Sequence, residues 1–314
     1  KKVMGFAAKQ ELAGDGVHYE PRWFKPWPET EVGSFRWKGE EYPIGDVIFE
    51  VDGIRMGFEI CEDAWNGVRP AQRHYLNNVD IILNPSASHF AFGRGEIREG
   101  IVREASRGYS CAYIYSSLLG KEAVRVIYDG EILIAQSGKL LANNERFGFE
   151  QVDLVSATID TAVPRREKKK SFAFEPEITA QIVRGDFEFT PVYTGSDSED
   201  YQIHAHDAKV QEFYYSVTLA MWDYMRKSFS KGFVISLSGG ADSSACLVLA
   251  VKAIERARKA LGEEGFQEAL SYANLNWSKP IMPQLITTVY PATDNSTEDT
   301  ETSARMLAES LGVT

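Results

Sequence analysis

The stretch GFVISLSGGADSSACLVLA, residues 232–250, constrains this chain more than any other. The apolar run GFVISLS (232–238) reads as a strand. A glycine turn follows, and then a helix from about 243 to 261 that buries Leu247, Val248, Val251 and Ile254 on one face. The two glycines let backbone N–H groups approach an anion, and the helix N-terminus adds partial positive charge. Ser238, Ser243 and Ser244 can donate hydroxyl hydrogen bonds to phosphate oxygens. Asp242 would repel phosphate unless a cation intervened, which points to Mg²⁺. The loop lacks the Gly-Lys-Ser/Thr ending of a Walker A motif. Nor does its glycine spacing fit a dinucleotide fingerprint.

The loop resembles the SGGxDSS loop of the ATP pyrophosphatase family, which grips the pyrophosphate end of ATP while an acyl group is adenylated. The resemblance implies that Ser236, Leu237, Ser238, Gly239, Gly240, Ala241, Asp242, Ser243 and Ser244 bind ATP, with Asp242 at the metal. Downstream, VYPATDNSTEDTETSARMLAESLG (289–312) is a strand end, a hydroxyl-rich loop and a helix carrying Ala304, Leu307, Ala308 and Leu311. It fits the same family, and a plain βα unit describes it equally well.

The chain has 314 residues, a prior for two domains. Its formal charge of −11 argues against nucleic-acid or anionic-membrane partners, because phosphate backbones select clustered Lys and Arg. The one dense basic run, Arg165 to Lys170, reads as a solvated loop. Three scattered cysteines, Cys61, Cys111 and Cys246, make no disulfide framework and suit a reducing, cytoplasmic setting. No run approaches the ~18 apolar residues that a membrane span needs. The chain begins at Lys1 and stops at LAESLGVT inside a helical pattern, so the expectation is the interior of a longer polypeptide.

In the first half, VIFEVDGIRMGFEI (47–60) alternates around Asp52-Gly53, a hairpin signature. VDIILNPSAS (79–88) is a buried strand running into a Pro/Ser loop, GEIREGIVREASRGY (95–109) a helix, and CAYIYSSLLG (111–120) a strand. A second Asp-Gly hairpin and a further turn at Ser137-Gly138 are expected within 124–142. Strands alternating with helices favour a layered α/β domain. Periodicity fades from about 161 to 203, where the linker is placed, and an amphipathic stretch follows at 207–229. His204 and His206 lack further ligands at metal spacing and read as linker residues. His18, His74 and His89 carry no clear signal.

MGFEICEDAW (56–65) sets Cys61 just past a strand end and beside two acids, where a packing cysteine would have apolar neighbours. A thiolate attacking an amide needs a cation or N–H groups to hold the oxyanion and a carboxylate to move the proton. Lys9, in the polar loop AAKQELAGDGVHYE, and Glu20 are the candidates. Asn84-Pro85-Ser86-Ala87-Ser88 and Arg94 form a second loop at a strand end. Cys111 and Cys246 lack such surroundings and read as packing residues.

This assembly resembles the nitrilase (carbon–nitrogen hydrolase) superfamily, with its Glu-Lys-Cys triad. The resemblance implies Cys61 as nucleophile, Lys9 as oxyanion-stabilising lysine and Glu20 as a supporting carboxylate. Glu62, Ser88 and Arg94 match positions that hold glutamine, and a guanidinium fork suits an α-carboxylate. The triad glutamate lies upstream of the lysine in the family, before Lys1, with Glu20 a weak substitute.

The two halves together resemble the glutamine-dependent NAD⁺ synthetases. What the resemblance implies is a nitrilase-like αββα sandwich followed by a Rossmann-like parallel α/β ATP-pyrophosphatase domain, both incomplete at the chain ends. The expected boundaries are 1–165 for the glutaminase, 166–203 for the linker and 204–314 for the synthetase. The implied substrates are glutamine, ATP with Mg²⁺, and nicotinic acid adenine dinucleotide, in a homo-oligomer. An alternative is a simple nitrilase-type amidase whose second domain is a non-catalytic nucleotide-binding or scaffold module.

Overall fold

The structure is a computed structural model that describes residues 2–14, 16–122, 126–170, 174–187, 208–292 and 297–313. His204 and His206 lie outside the described residues. The chain divides into two compact units. The first draws on Lys1–Leu118, Gly130–Arg146 and Asp153–Gln202. The second draws on Leu119–Asp129, Phe147–Val152 and Ile203–Thr314.

The first unit is built on a seven-stranded mixed sheet. Three parallel neighbours run through it, Ile54–Phe58, Ile81–Ser86 and Ala112–Ser117. Val47–Val51 and then Gln181–Gly185 extend one side, and Ile132–Gln136 and Lys139–Asn143 the other. A separate three-stranded sheet pairs Phe6–Ala7 in parallel with Glu40–Gly45, which also pairs with Val32–Trp37. The 47–60 hairpin forms as its pattern demands, with Val51 opposite Ile54. Asp52 and Gly53 carry φ of 50° and 71°, the positive pair that a tight hairpin turn requires. Helix Arg94–Gly108 lies on the sheet and buries Val102 and Ala105 against Ile82, Tyr113 and Leu133. That helix shields one face of the central strands.

Three expectations are corrected. The second Asp-Gly pair, Asp129-Gly130, does not close a hairpin: Ile127–Asp129 pairs with Leu119–Lys121, whereas Ile132–Gln136 joins the large sheet. The hairpin instead closes at Ser137-Gly138, with Gln136 opposite Lys139. Second, the basic run is a helix, Ala162–Lys170, and not a solvated loop. Arg165 grips buried Asp80 with two hydrogen bonds of 2.7 and 2.6 Å. Lys168 is 1% exposed and donates to the Val79 carbonyl at 2.6 Å. Third, Cys246 faces outward on its helix, while Cys111 is buried as expected.

The second unit packs helix Ala208–Lys227 against helix Ala241–Ala269. Trp222 stacks on Phe266 with ring centroids 5.5 Å apart, and Leu247, Val251 and Ile254 complete the core. The long helix is interrupted at Gly262 (φ 66°, ψ 176°), one residue past the expected end at 261. Strands Phe233–Ser236 and Ile286–Val289 pair in parallel, and helix Glu298–Ser310 follows the second. Both units are α/β, the class that the alternating pattern implied.

Candidate functional site

In open α/β sheets ligands bind beyond the carboxyl ends of the strands. In the first unit Lys9 follows Phe6–Ala7, Cys61 follows Ile54–Phe58, and Ser88 follows Ile81–Ser86. Cys61 opens a single 3₁₀ turn, Cys61–Trp65, with φ of 53°. A non-glycine residue held there stores about 1–3 kcal/mol of strain, which persists only when neighbours over-determine it. Asp63 supplies that constraint. Its Oδ2 accepts from the Ile60 N–H at 2.7 Å, and its own N–H donates to the Ile60 carbonyl at 3.2 Å. Cys61 is half-buried and reduced.

The lysine loop is fastened at several points. Lys9 Nζ donates to Glu20 Oε2 at 2.5 Å, and that same oxygen accepts from the Ala13 N–H at 2.7 Å. The Lys9 carbonyl accepts from Trp27 N–H at 2.9 Å. Asp63 Oδ1 accepts from the backbone N–H groups of Gln10 at 3.1 Å and Glu11 at 2.7 Å. One carboxylate thus touches both the cysteine turn and the lysine loop. Burial raises the Asp63 carboxyl to about 6, against the lowering effect of its backbone donors.

Behind the turn lies a network that the sequence reading missed. Glu59, fully buried two residues before Cys61, takes both arms of the Arg69 guanidinium. Glu59 also accepts from the Ala71 N–H and the Tyr113 hydroxyl, each at 2.8 Å. Asn84 donates to that hydroxyl at 2.8 Å and in turn accepts from Ser86 at 2.5 Å. Asn84 and Ser86 belong to the NPSAS loop, so the network joins the cysteine strand to the serine strand. The available signal was a charged residue, Glu59, inside an apolar strand end.

Arg94 reaches the cysteine turn by stacking over the Trp65 ring, 5.0 Å from its centroid. Its Nη1 also lies 2.7 Å from His89 Nε2, and His89 Nδ1 lies 3.2 Å from His18 Nε2. In sequence nothing relates position 18 to position 89. Ser88 is buried, and its carbonyl accepts from the Ser117 hydroxyl at 3.5 Å. Glu62 lies half-buried in the cysteine turn, its carbonyl accepting from Asn66 Nδ2 at 3.4 Å.

In the second unit the Phe233–Ser236 strand runs through buried Leu237 into the glycine turn and helix Ala241–Ala269. Gly239 has φ of 79°, and a Cβ there would stand 2.3 Å from the Thr300 carbonyl oxygen, so only glycine fits. Ser243 Oγ accepts from the Ser238 N–H at 3.2 Å and lies 3.1 Å from Ser238 Oγ. Ser243 and Ser244 hydroxyls both donate to the Gly240 carbonyl, at 3.1 and 2.8 Å. Ser238, Gly240, Ala241 and Asp242 are exposed, as an anion cradle must be. Asp242 stands in the helix's first turn. Among the described residues no cluster of three or more His, Cys, Asp or Glu could cage a metal alone. A single exposed carboxylate beside a phosphate cradle fits Mg²⁺, which takes one or two carboxylates plus substrate oxygens.

Fold and site define a class: an α/β unit with a cysteine on a strained strand-end turn, joined in one chain to an α/β unit with a glycine anion cradle. Comparison with known proteins narrows it. Residues 214–314 match the NAD synthase family. Over 99% of its length the chain is 28% identical to glutamine-dependent NAD(+) synthetase of Rattus norvegicus and 27% identical to that of Homo sapiens. A crystal structure of a glutamine-dependent NAD(+) synthetase from Cytophaga hutchinsonii superposes with a TM-score of 0.77 at 39% identity, over 99% of this chain and 46% of that one. The glutamine-dependent NAD+ synthetase of Acinetobacter baumannii, solved with adenosine diphosphate, shares the fold at a TM-score of 0.58 and 19% identity, over 98% of this chain and 43% of that one. Over nearly its whole length the chain is thus similar to glutamine-dependent NAD⁺ synthetases, the likeness its motifs carry. It spans about half the length of the relatives it matches, 46% of the rat protein and 47% of the human. Among the described residues no helix is long and apolar enough to cross a membrane.

Proposed function

We propose that this chain carries the glutamine-hydrolysing site and the ATP cradle of a glutamine-dependent NAD⁺ synthetase. The observation that carries the reading is the fastening of the Lys9 loop to the Cys61 turn, in one chain with the glycine cradle of residues 236–244. The glutaminase role is assigned to the first unit and the synthetase role to the second. The Cys61 sulfur attacks the glutamine side-chain amide, forming a C–S bond. The Lys9 ammonium and the Glu62 backbone N–H hold the resulting oxyanion, an arrangement that acts strongly in a half-buried site. Glu20 keeps Lys9 oriented through its 2.5 Å contact. Arg94 and Ser88 seat the amino acid, the guanidinium on the α-carboxylate. The thiol proton passes to the general base, which the family places upstream of Lys9. Collapse of the tetrahedral species breaks the C–N bond and releases ammonia, and water then frees glutamate from the thioester.

In the second site the carboxylate of nicotinic acid adenine dinucleotide attacks the ATP α-phosphate, and pyrophosphate leaves. Ammonia displaces AMP from the acyl adenylate to give the carboxamide. Residues Ser236 to Ser244 cradle the phosphates through N–H groups and hydroxyls. Asp242 would hold Mg²⁺, which would shield the pyrophosphate charge. The reading also carries a homo-oligomer in a reducing cytoplasm, in keeping with three free cysteines.

The test is Cys61→Ala in the full-length protein. NAD⁺ formation with glutamine should vanish, while formation with ammonium chloride should persist. Equal loss of both would sink the assignment of separate sites.

A further inference from the structure

We propose that Asp63 is a positioning residue that bolts the lysine loop to the cysteine turn and so sets where the Lys9 ammonium stands relative to the Cys61 thiol. This rests on the glutaminase reading above and adds to it a residue that no step of that chemistry uses.

Asp63 is 1% exposed, and its carboxylate accepts three backbone N–H bonds from two segments far apart in sequence. Its Oδ2 holds Ile60, the residue before Cys61. Its Oδ1 holds Gln10, the residue after Lys9, and also Glu11. Two of the three donors, Ile60 and Gln10, are main-chain amides next to Cys61 and Lys9, and the third, Glu11, is one residue further along the lysine loop. A bond at such a point fixes the Cα positions from which the Cys61 and Lys9 side chains start. The other fastenings of the loop lead elsewhere: Trp27 takes the Lys9 carbonyl, and Arg73 takes the Gln10 side chain while its Nε binds Asp46 at 3.0 Å. Asp63 sits on the cysteine turn itself.

The residue type also fits. Three converging N–H groups ask for an acceptor with no hydrogen of its own, and an ionised carboxylate is acceptor-only. An amide of the same shape would turn an N–H₂ toward at least one of these donors. The site keeps the carboxylate despite burial and despite Glu59 on the adjoining strand end, both of which raise its pKa. The lysine loop facing it contributes Lys9, Glu11 and Glu20 as its charged groups.

The experiment measures glutamine hydrolysis by the full-length protein from pH 5 to 9 in wild type, Asp63→Asn, Asp63→Ser and Cys61→Ala. Thermal midpoints and the rate of Cys61 alkylation by iodoacetamide are followed in parallel. Displacing a reacting group by about 1 Å costs on the order of 100-fold in rate. Asp63→Asn should therefore lower kcat about 10- to 100-fold, with KM for glutamine within about threefold, in a protein that still melts cooperatively. Wild-type kcat should fall as pH drops through about 6, where Asp63 takes up its proton, and the variant should lack that step. Asp63→Ser removes the carboxylate without opposing one N–H with another, and it serves if the asparagine variant does not fold. Wild-type kcat and an unchanged acidic limb in either folded variant would overturn the proposal. If Cys61→Ala still hydrolyses glutamine, the glutaminase reading fails instead, whatever Asp63 does.

Discussion

Gly239 offers the sharpest test of the anion cradle. It sits at φ 79°, and a Cβ placed there would lie 2.3 Å from the Thr300 carbonyl oxygen in the first turn of helix Glu298–Ser310. Alanine faces two penalties at this position. The left-handed backbone costs about 1–2 kcal/mol. Relieving the overlap demands a shift of about 1 Å between two backbone segments, and overpacking of that kind costs about 1–3 kcal/mol more. Gly239→Ala should therefore destabilise the second unit by about 2–5 kcal/mol, read as a lower urea midpoint with unchanged slope. On the proposed function, the same displacement would move the turn's N–H groups off the ATP phosphates. The dinucleotide-acid-dependent exchange of pyrophosphate into ATP should fall at least tenfold, while glutamine hydrolysis is retained. The turn contains a built-in comparison, since Gly240 has ordinary extended φ (−85°) and its added Cβ would meet nothing nearer than Ser238 Oγ at 3.4 Å. Gly240→Ala should cost the fold less than about 1 kcal/mol, the ordinary surface range. Equal midpoints for the two variants would refute the claim that the Thr300 contact dictates glycine.

Two further perturbations probe the first unit. Lys168 is pushed down to about 8 by burial, so the unfolded chain holds its proton more tightly than the folded one. Its charged form thus opposes folding at neutral pH, and stability should rise as pH climbs from about 8 toward the unfolded value near 10.5. Lys168→Met should flatten that rise in denaturant midpoints measured from pH 7 to 10, and a parallel pH profile would discount the burial. Glu59→Gln removes the anion facing Arg69, leaving a guanidinium with 10% side-chain exposure uncompensated. Breaking a buried pair from one side costs about 3–5 kcal/mol. Calorimetry showing less than about 1 kcal/mol would mean that water reaches Arg69.

Much of this chain was legible without coordinates because its signals are local. The 47–60 hairpin follows from an alternation and an Asp-Gly pair that supplies its own turn geometry. The glycine cradle follows from strand, turn and helix in immediate succession. The second Asp-Gly pair carried the same signal and gave a different result. The strand before it, Ile127–Asp129, found its partner in Leu119–Lys121, outside the large sheet. Local turn chemistry permits a hairpin there, and strand pairing decides whether one forms.

The basic run at 165–170 marks the same limit from the side of charge. In sequence it looks like a solvated face, but buried Asp80 and the Val79 carbonyl draw Arg165 and Lys168 inward. The residue types that the proposed amide and phosphate chemistry needs are set by the sequence alone, because a cysteine, a lysine and a glycine are properties of single positions or short runs. Their fastening belongs to the tertiary structure. Asp63 meets Gln10 and Glu11, Glu59 meets Arg69 and Tyr113, and His89 meets His18 and Arg94 only after the strands have paired. Hydrogen bonds act over about 3 Å, and no pattern along the chain records which distant segments folding will bring that close.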